Sequence, residues 1–419
     1  MAFKHYHRNV KIRMYDVFIN SLCSMLYLPF MGIYFADHFG AQMTGIVMIA
    51  TVIAGFGTGL YGSYYADLIG RKTIMVISAA VRLAAVAAVL LVNTPWFQSS
   101  FITLIAVIIL SACSGVSEPV SEAMVIDVTT VENRKSVYNF LYWFRNLSQV
   151  IGGVVGGFLF KEHLTLLLLL SAALSLASFI LIAGWITDTY VRPEKGGGGV
   201  NALKDLFARY KRVSSDTTFM IFTLATLLFF SLEFQLTNYI GIRLERELPD
   251  QQIQLWDGLG FSLDGVKLLG FLQAENTFLV VSATLLIVAL MRRFRDTNVL
   301  FAGLIMYTIA YVFMGWSSAP LVLLVAMFFA TTGEIMFWPV RQAYLAQLIP
   351  DDARSSYMAV NSLVFQGARI IASVCITAGT VVSSVIMGIF FGTIGLISIL
   401  LFFQVIHRLN RNRQQKLSA

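Results

Sequence analysis

Five carboxylates stand in stretches otherwise too apolar to hold them: Glu118, Glu122 and Asp127 in one run, Glu233 and Glu334 in two others. An ionised side chain in hydrocarbon costs roughly 2.5 kcal/mol or more, so such groups usually take up protons, hold cations or pair with one another. Guanidinium groups share the same kind of stretch, at Arg82, Arg145, Arg341 and Arg369. Glu118 and Glu122, four residues apart, lie on one helical face, while Asp127 points elsewhere. Counted from the polar turn near Asn133, Glu122 and Arg145 each lie ~15 to 18 Å along their helices, so depth permits them to meet. Glu334 and Arg369 lie about 25 Å from the polar turn between their own helices and are expected to pair as well. Two readings stay open for such pairs: ion pairs that only fix how helices pack, or a site for protons or a charged substrate. Glu334 is the expected proton or cation acceptor, aided by Glu233 and Glu122, with Glu118 and Asp127 as further proton-coupling candidates. Tyr142, Trp143, Phe234 and Trp338 have the chemistry to stack on a flat lipophilic cation. With 33 Phe in the chain, most aromatic positions serve packing. The candidate substrate contacts are these four rings with Glu334, Glu122, Glu233, Arg145 and Arg369.

The elements that must carry these residues are membrane spans. Charged residues make up 13% of the chain against a usual ~25%. Hydrophobic residues reach 57% and the mean hydropathy is +0.75. At ~17 to 25 apolar residues per crossing, twelve spans are expected, near 14–35, 42–65, 73–92, 101–128, 136–160, 164–187, 217–241, 273–291, 298–316, 320–348, 356–380 and 382–406. Of the 30 Lys and Arg, only Lys161, Arg243, Arg246 and Lys267 fall in predicted outer loops. The others outside the spans lie in inner segments, which sets both termini in the cytoplasm and explains the net charge of +7 without nucleic acid. The first apolar run, preceded by Lys4, Arg8, Lys11 and Arg13, is too long for a signal-peptide core and reads as an uncleaved span. Cys23, Cys113 and Cys375 all fall within spans, with no CxxC, so neither a disulfide framework nor a metal knuckle is expected. HExxH, GxSxG, Walker and GxGxxG arrangements are absent, which argues against an enzyme.

Three domains follow: a six-helix bundle over 1–190, a cytoplasmic linker over 191–216, and a second six-helix bundle over 217–419. The linker holds Gly196 to Gly199 and then an amphipathic segment, Asn201 to Val213, suited to an anionic lipid surface. A second irregular segment, Arg243 to Gly270, reads as a long outer loop with turn signals at Pro249-Asp250, Trp256-Asp257-Gly258 and Asp264-Gly265. Pro119 and Pro339 are related by the same offset as the turns Glu132-Asn133-Arg134-Lys135-Ser136 and Asp352-Ala353-Arg354-Ser355-Ser356, so one half repeats the other. Parallel repeats around a central site are how many secondary transporters achieve alternating access.

Tyr65-Ala66-Asp67-Leu68-Ile69-Gly70-Arg71-Lys72, after the second span, resembles the signature loop of the major facilitator superfamily, with Ser63 and Leu68 departing from the usual pattern. Gly152-Gly153-Val154-Val155-Gly156-Gly157 resembles the superfamily's antiporter motif, with Gly153 in place of its proline; glycines there let helices pack closely. Ala123-Met124-Val125-Ile126-Asp127, Asn146-Leu147-Ser148 and Gly333-Glu334-Ile335 are similar to the drug:proton antiporter group. The resemblance implies an all-α integral membrane protein with twelve helices in two six-helix bundles. It further implies proton-driven export of lipophilic, mostly cationic compounds, without a cofactor. The group's functional acids match at Asp67, Asp127 and Glu334; its seventh-span acid falls near Glu233 or Gln235, and its fifth-span acid aligns with Leu141. Asp67, Gly70, Arg71, Lys72 and Asp127 form an expected cytoplasmic latch, with plain helix capping as the other reading. A monomer in a bacterial-type plasma membrane is expected. The alternatives are a translocator of an anionic lipid or glycolipid held by Arg145, Arg341 and Arg369, or a proton-coupled carrier of another amphipathic small molecule. A receptor or scaffold would need soluble domains larger than these loops.

Overall fold

The computed structural model describes residues 6–187, 213–256, 259–291, 293–350 and 354–418. The linker glycines, most of the amphipathic segment after them and the Asp352 turn lie outside the described residues, as does the side chain of Asp67. The first helix, α1 (Arg8–Tyr27), passes through a short 3-10 turn into α2 (Met31–Ile69). At Gly40 the helix breaks with φ +78°, a conformation open to glycine and strained for other residues, which separates the first crossing from the second. Then come α3 (Arg71–Leu91), a minimal hairpin of β1 (Asn93–Thr94) and β2 (Phe97–Gln98), α4 (Ser100–Asp127), α5 (Val131–Leu159) and α6 (Leu164–Trp185). After the linker follow α7 (Thr217–Glu233), a π-type turn (Leu236–Ile240) and α8 (Gly241–Glu247). An antiparallel hairpin, β3 (Gln251–Trp256) with β4 (Leu259–Leu263), leads into α9 (Gly265–Met291). The last helices are α10 (Asp296–Trp316), α11 (Pro320–Leu348), α12 (Arg354–Ala378) and α13 (Ser384–Ser418).

Among the described residues nine segments are long and apolar enough to cross a bilayer. The first of them runs through the Gly40 break, which gives it the length of two crossings, and α5 and α9, of 29 and 27 residues, also have the length to span. Helices dominate because no water is present in hydrocarbon to satisfy backbone groups, and a helix satisfies its own. The outer segment is not the loop its turn signals suggest. Its polar and apolar residues alternate from Gln252 to Leu255, and the strand that contains them, Gln251–Trp256, pairs antiparallel with Leu259–Leu263.

The chain divides into two compact units. Described residues of Met1–Glu194 and Gly241–Phe278 form the first, those of Lys195–Ile240 and Leu279–Ala419 the second. In the first, α1 packs on α5 and α6, α2 on α4, and α3 on α4 and α6. In the second, α10 packs on α11 and α13, and α7 on α12 and α13. The segment 241–278 joins the first unit through two kinds of contact. One is the glycine ridge of α5. Gly152 and Gly156 lie against α1, where an added Cβ would come within 2.5 Å of Met25 and 2.3 Å of Leu26. Gly153 and Gly157 face Gly270 of α9, whose own Cβ would meet the Gly153 carbonyl at 2.5 Å.

The other contact is ionic. In the turn between α5 and α6, Lys161 pairs with Glu245 of α8 at 2.7 Å, and Glu162 pairs with Lys267 of α9 at 2.8 Å. The Lys267 ammonium also donates to Ser262 Oγ at 2.7 Å and lies 4.0 Å from Asp264. Its side chain is only 5% exposed. Burial alone would lower its pKa, but the hydrogen bond to Glu162 and the nearby Asp264 outweigh that and hold it above the ordinary 10.5. The same hydrogen bond holds the Glu162 carboxyl below its ordinary 4.5.

Two outcomes follow from these contacts. Gly156→Val forces α5 and α1 apart and lowers the melting temperature of purified protein, with overpacking costing ~1 to 3 kcal/mol, whereas Gly184→Ala, whose Cβ meets nothing within 4 Å, leaves it unchanged. Because the Glu162 pKa is depressed and the Lys267 pKa is raised, their pairing stabilises fully from above about pH 4.5 to below about pH 10.5 and is lost on moving beyond either end. Glu162→Gln therefore lowers the melting temperature at pH 7, and the difference from wild type shrinks as the pH is taken below 4.5, in melts followed by fluorescence.

Candidate functional site

The second unit holds a charged cluster built around an interrupted helix. Asp216 caps α7 by accepting from the Phe219 N–H (3.0 Å), and Tyr357 fixes the cap by donating to its other oxygen (3.0 Å). The helix then runs apolar until Glu233, where regular geometry gives way to the π-type turn before α8. Side chains satisfy the carbonyls released there. Tyr311 donates its hydroxyl to the Glu233 carbonyl (3.4 Å), Asn238 its amide to that of Phe234 (2.6 Å), and Gln235 its amide to that of Ser231 (3.1 Å). Broken helices survive in membranes only where protein or a wet cavity takes up these groups.

A close crossing supplies the other wall. Gly303 of α10 and Gly333 of α11 approach so tightly that a Cβ on Gly333 would lie 2.6 Å from the Gly303 carbonyl and 3.0 Å from the Tyr307 nitrogen. This sets Glu334, the next residue, beside Tyr307 and Tyr311 on α10. Glu233 lies within electrostatic range of both Glu334 and Arg369. The Arg369 guanidinium sits over the Phe234 ring at 5.1 Å. Thus Glu233, Phe234, Glu334 and Arg369, read from sequence as site residues, gather in one place.

The cluster is graded. Arg369 is exposed, and Glu334, Phe234 and Glu233 are half-buried. One Glu233 oxygen, Oε2, is sealed and has no hydrogen-bond partner among the described residues. Glu233 thus has a second carboxylate and a guanidinium within electrostatic range. Trp338 lies to one side, edge-on to Phe230 at 5.6 Å. Arg341, one of the three arginines considered for a lipid head group, is 1% exposed: it donates to Asn361 and lies between the rings of Phe222 (5.4 Å) and Trp338 (5.8 Å). Packed this way it offers no open face to a head group.

In the first unit Glu118 and Arg145 approach to 3.9 Å with both side chains open, 69% and 53% exposed. An ion pair so exposed is tolerable against water and costly against acyl chains. Glu122, one turn further along α4, accepts instead from the Tyr138 hydroxyl at 3.5 Å, and Tyr142 and Trp143 are exposed on α5. On the cytoplasmic side Gly70 takes φ +98° between α2 and α3, which lets Arg71 start α3 and form an ion pair with Asp127 at the end of α4. Lys72 follows on α3, half-buried.

Several groups escape the sequence reading. Asp16 is fully buried, paired with Arg13, and accepts from Ser178 Oγ at 2.5 Å. It stands inside the first apolar run, so the rule applied to the other acids would have found it. Arg13, taken as a charge ahead of the span, belongs to this buried pair because α1 already begins at Arg8. Arg82 donates to Asn20, and Glu275 of α9 has a buried Oε2 with no partner among the described residues. Tyr307 and Tyr311 carry no sequence signal at all, since aromatics in apolar runs are common.

The comparisons with known proteins agree on the kind of molecule. The Major Facilitator Superfamily family model matches residues 17–253 and 251–418. A Na(+), Li(+), K(+)/H(+) antiporter of Planococcus maritimus is 28% identical over 383 residues, covering 90% of each chain. Multidrug resistance protein MdtH of Klebsiella pneumoniae subsp. pneumoniae is 28% identical over 356 residues, 81% of this chain and 79% of the relative. In fold, the chain is similar to a POT family transporter crystallised with 5-aminolevulinic acid, with TM-score 0.75, 14% identity and 96% of each chain covered. It is likewise similar to a point mutant of the nucleoside transporter NupG, with TM-score 0.71, 15% identity, and 95% of this chain and 99% of that one covered. The chain belongs to the Major Facilitator Superfamily and is a multi-pass transporter of the cell membrane, not an enzyme.

Proposed function

We propose that this transporter exports lipophilic cations in exchange for protons, with Glu233 and Glu334 as the groups that hold proton and cargo in turn. The observation that carries the reading is the sealed Oε2 of Glu233, without a hydrogen-bond partner among the described residues and within electrostatic range of a second carboxylate and a guanidinium. A sealed carboxylate suits one proton or one monovalent cation, and holding both at once would leave a positive charge in a low-dielectric site. Occupancy by one therefore opposes the other, which is the thermodynamic requirement for exchange. Phe234 and Trp338 give aromatic surface near the accessible edge, where a flat cation can stack. The similarity to a multidrug resistance protein points the same way.

A second reading, exchange of protons for small inorganic cations, is favoured by the similarity to the Na(+), Li(+), K(+)/H(+) antiporter, which covers 90% of each chain. Translocation of an anionic head group has less support, because Arg341 is enclosed and two carboxylates stand in the cluster. Arg71 and Asp127 serve as the cytoplasmic latch, since an ion pair between the ends of two helices must form and break as that side closes and opens.

In proteoliposomes with an imposed pH gradient, Glu233→Gln and Glu334→Gln each slow proton-driven tetraphenylphosphonium efflux about ten-fold or more, equivalent to ~1.4 kcal/mol. Undiminished pH-driven efflux by both variants overturns the assignment. Asp127→Asn lowers the maximal rate a few-fold while leaving the half-saturating tetraphenylphosphonium concentration unchanged, as measured by initial rates across a concentration series.

A further inference from the structure

One acid of the first unit has no part in the exchange described above. Glu275 stands roughly 15 Å beyond Gly265, where α9 begins, and so well inside the apolar part of that helix. It is half-buried, and Oε2 alone of its two oxygens is sealed without a hydrogen-bond partner among the described residues. No ionisable group among the described residues lies within electrostatic range of it. The described charges of α5 and of the turn after it have other partners: Arg145 approaches Glu118, Lys161 holds Glu245, and Glu162 holds Lys267. Glu233 in the second unit has Arg369 in range; Glu275 has no such counter-charge. A carboxyl so placed is stable as the neutral acid and costly as the anion.

The seam between α5 and α9 sets its surroundings. Gly153, Gly157 and Gly270 bring the two backbones together, and a Cβ on Gly153 would lie 3.5 Å from that of Gln273. Phe271 of α9 meets Phe158 of α5 edge to face at 5.4 Å. Glu275, four residues on, lies on the same face of α9, one turn deeper. Between the two, Gln273 Nε2 is also buried with no partner among the described residues. A donor and an acceptor both left unsatisfied within one turn of helix are unusual in a permanent contact, and water satisfies both once the helices part. One turn beyond Glu275, between Phe278 and Leu279, α9 passes from the first unit to the second. The acid therefore stands where this helix changes neighbours.

We propose that Glu275 is a second proton carrier, loaded from the outside when the α5–α9 seam parts and held as the neutral acid when the seam is closed. Closing the seam over an ionised Glu275 strands a charge, so closure follows protonation. Loss of the proton to the inner side, through the oxygen left open, then destabilises the closed seam and favours its parting. Two protons enter for each monovalent cation that leaves, one through Glu233 and Glu334 and one on Glu275, and each cycle moves one positive charge inward. Such an exchange draws on the membrane potential, which the exchange of one proton for one monovalent cation cannot use. The proposal rests on the reading of this chain as a proton-driven exporter and adds to it the stoichiometry and the second proton's site.

Limiting gradients count the protons. Proteoliposomes containing the full chain are held at zero membrane potential with valinomycin and equal K+ on both sides. The tetraphenylphosphonium gradient they reach grows about a hundred-fold per pH unit in wild type and about ten-fold in Glu275→Gln, because each proton exchanged adds one factor of ten. A second readout needs no cargo: the infrared spectrum of the purified protein at pH 7 carries the C=O stretch of a protonated carboxyl, and Glu275→Gln weakens it. A wild-type dependence of only ten-fold per pH unit, an unchanged dependence in Glu275→Gln, or a carboxyl band of equal intensity in both proteins overturns the proposal. The first of these decides even if the variant fails to fold. Should wild type build no tetraphenylphosphonium gradient while Glu275→Gln still weakens the carboxyl band, the organic-cation reading fails, and the same dependence measured with radiolabelled Na+ decides the stoichiometry.

Discussion

A carboxylate oxygen sealed without a hydrogen-bond partner among the described residues, Glu233 Oε2, is the constraint on which the rest of the site in the second unit depends. Glu233 lies within electrostatic range of Glu334 and Arg369, and one of its oxygens is sealed from solvent. In hydrocarbon such an arrangement is stable only if something supplied from outside completes it. Nearby features follow from keeping that place available. The break in α7 exposes carbonyl groups next to the acid, and Tyr311, Asn238 and Gln235 satisfy them from the side chains at hand. The Gly303–Gly333 crossing brings Tyr307 and Glu334 together because neither position has a Cβ to keep the backbones apart. Phe229 then stacks on both Tyr307 and Phe337.

The first unit shows the opposite arrangement: most of its charges find partners. Asp16 has Arg13 and Ser178, Glu118 has Arg145, Asp127 has Arg71, and at the outer side Glu162 and Lys161 hold Lys267 and Glu245. These pairs fall at the ends and the middle of its helices. The boundary between units cuts through continuous rods: α7 belongs to one unit and α8 to the other, and α9 changes allegiance between Phe278 and Leu279. Contact with the α5 glycines and two ion pairs assigns 241–278 to the first unit. The ion pairs are individually weak where exposed, but Lys267, nearly excluded from water, depends on Glu162 for its compensation.

Much of this architecture was legible in the chain. Apolar runs of spanning length, the confinement of most Lys and Arg to inner segments, and the family motifs define a twelve-span reading and its orientation, since hydrophobic transfer and loop charge act on composition and order alone. Counting residues along helices placed Glu122 at the depth of Arg145, and Glu334 at that of Arg369, because a helix has a fixed rise. The ion pair of Arg145 forms one turn away from that count, with Glu118, because rotation and side-chain reach choose between two acids on one face. Asp16 was missed although it stands inside the expected first span, Arg13 because that span begins earlier than expected, and the outer hairpin because its Asp-Gly turn was weighed as a loop signal without the alternation beside it.

By itself, then, the sequence determined that the chain is a series of apolar rods with ionisable groups set along them, properties of a rod taken singly. Which rods touch, and at what rotation, only the tertiary structure decided. The α10–α11 glycine crossing sets Tyr307 beside Glu334, the rings of Phe222 and Trp338 enclose Arg341, and one Glu233 oxygen is left without a partner among the described residues. Those outcomes depend on packing between segments distant in the chain, where the absence of a Cβ on two glycines matters more than the hydropathy of either helix.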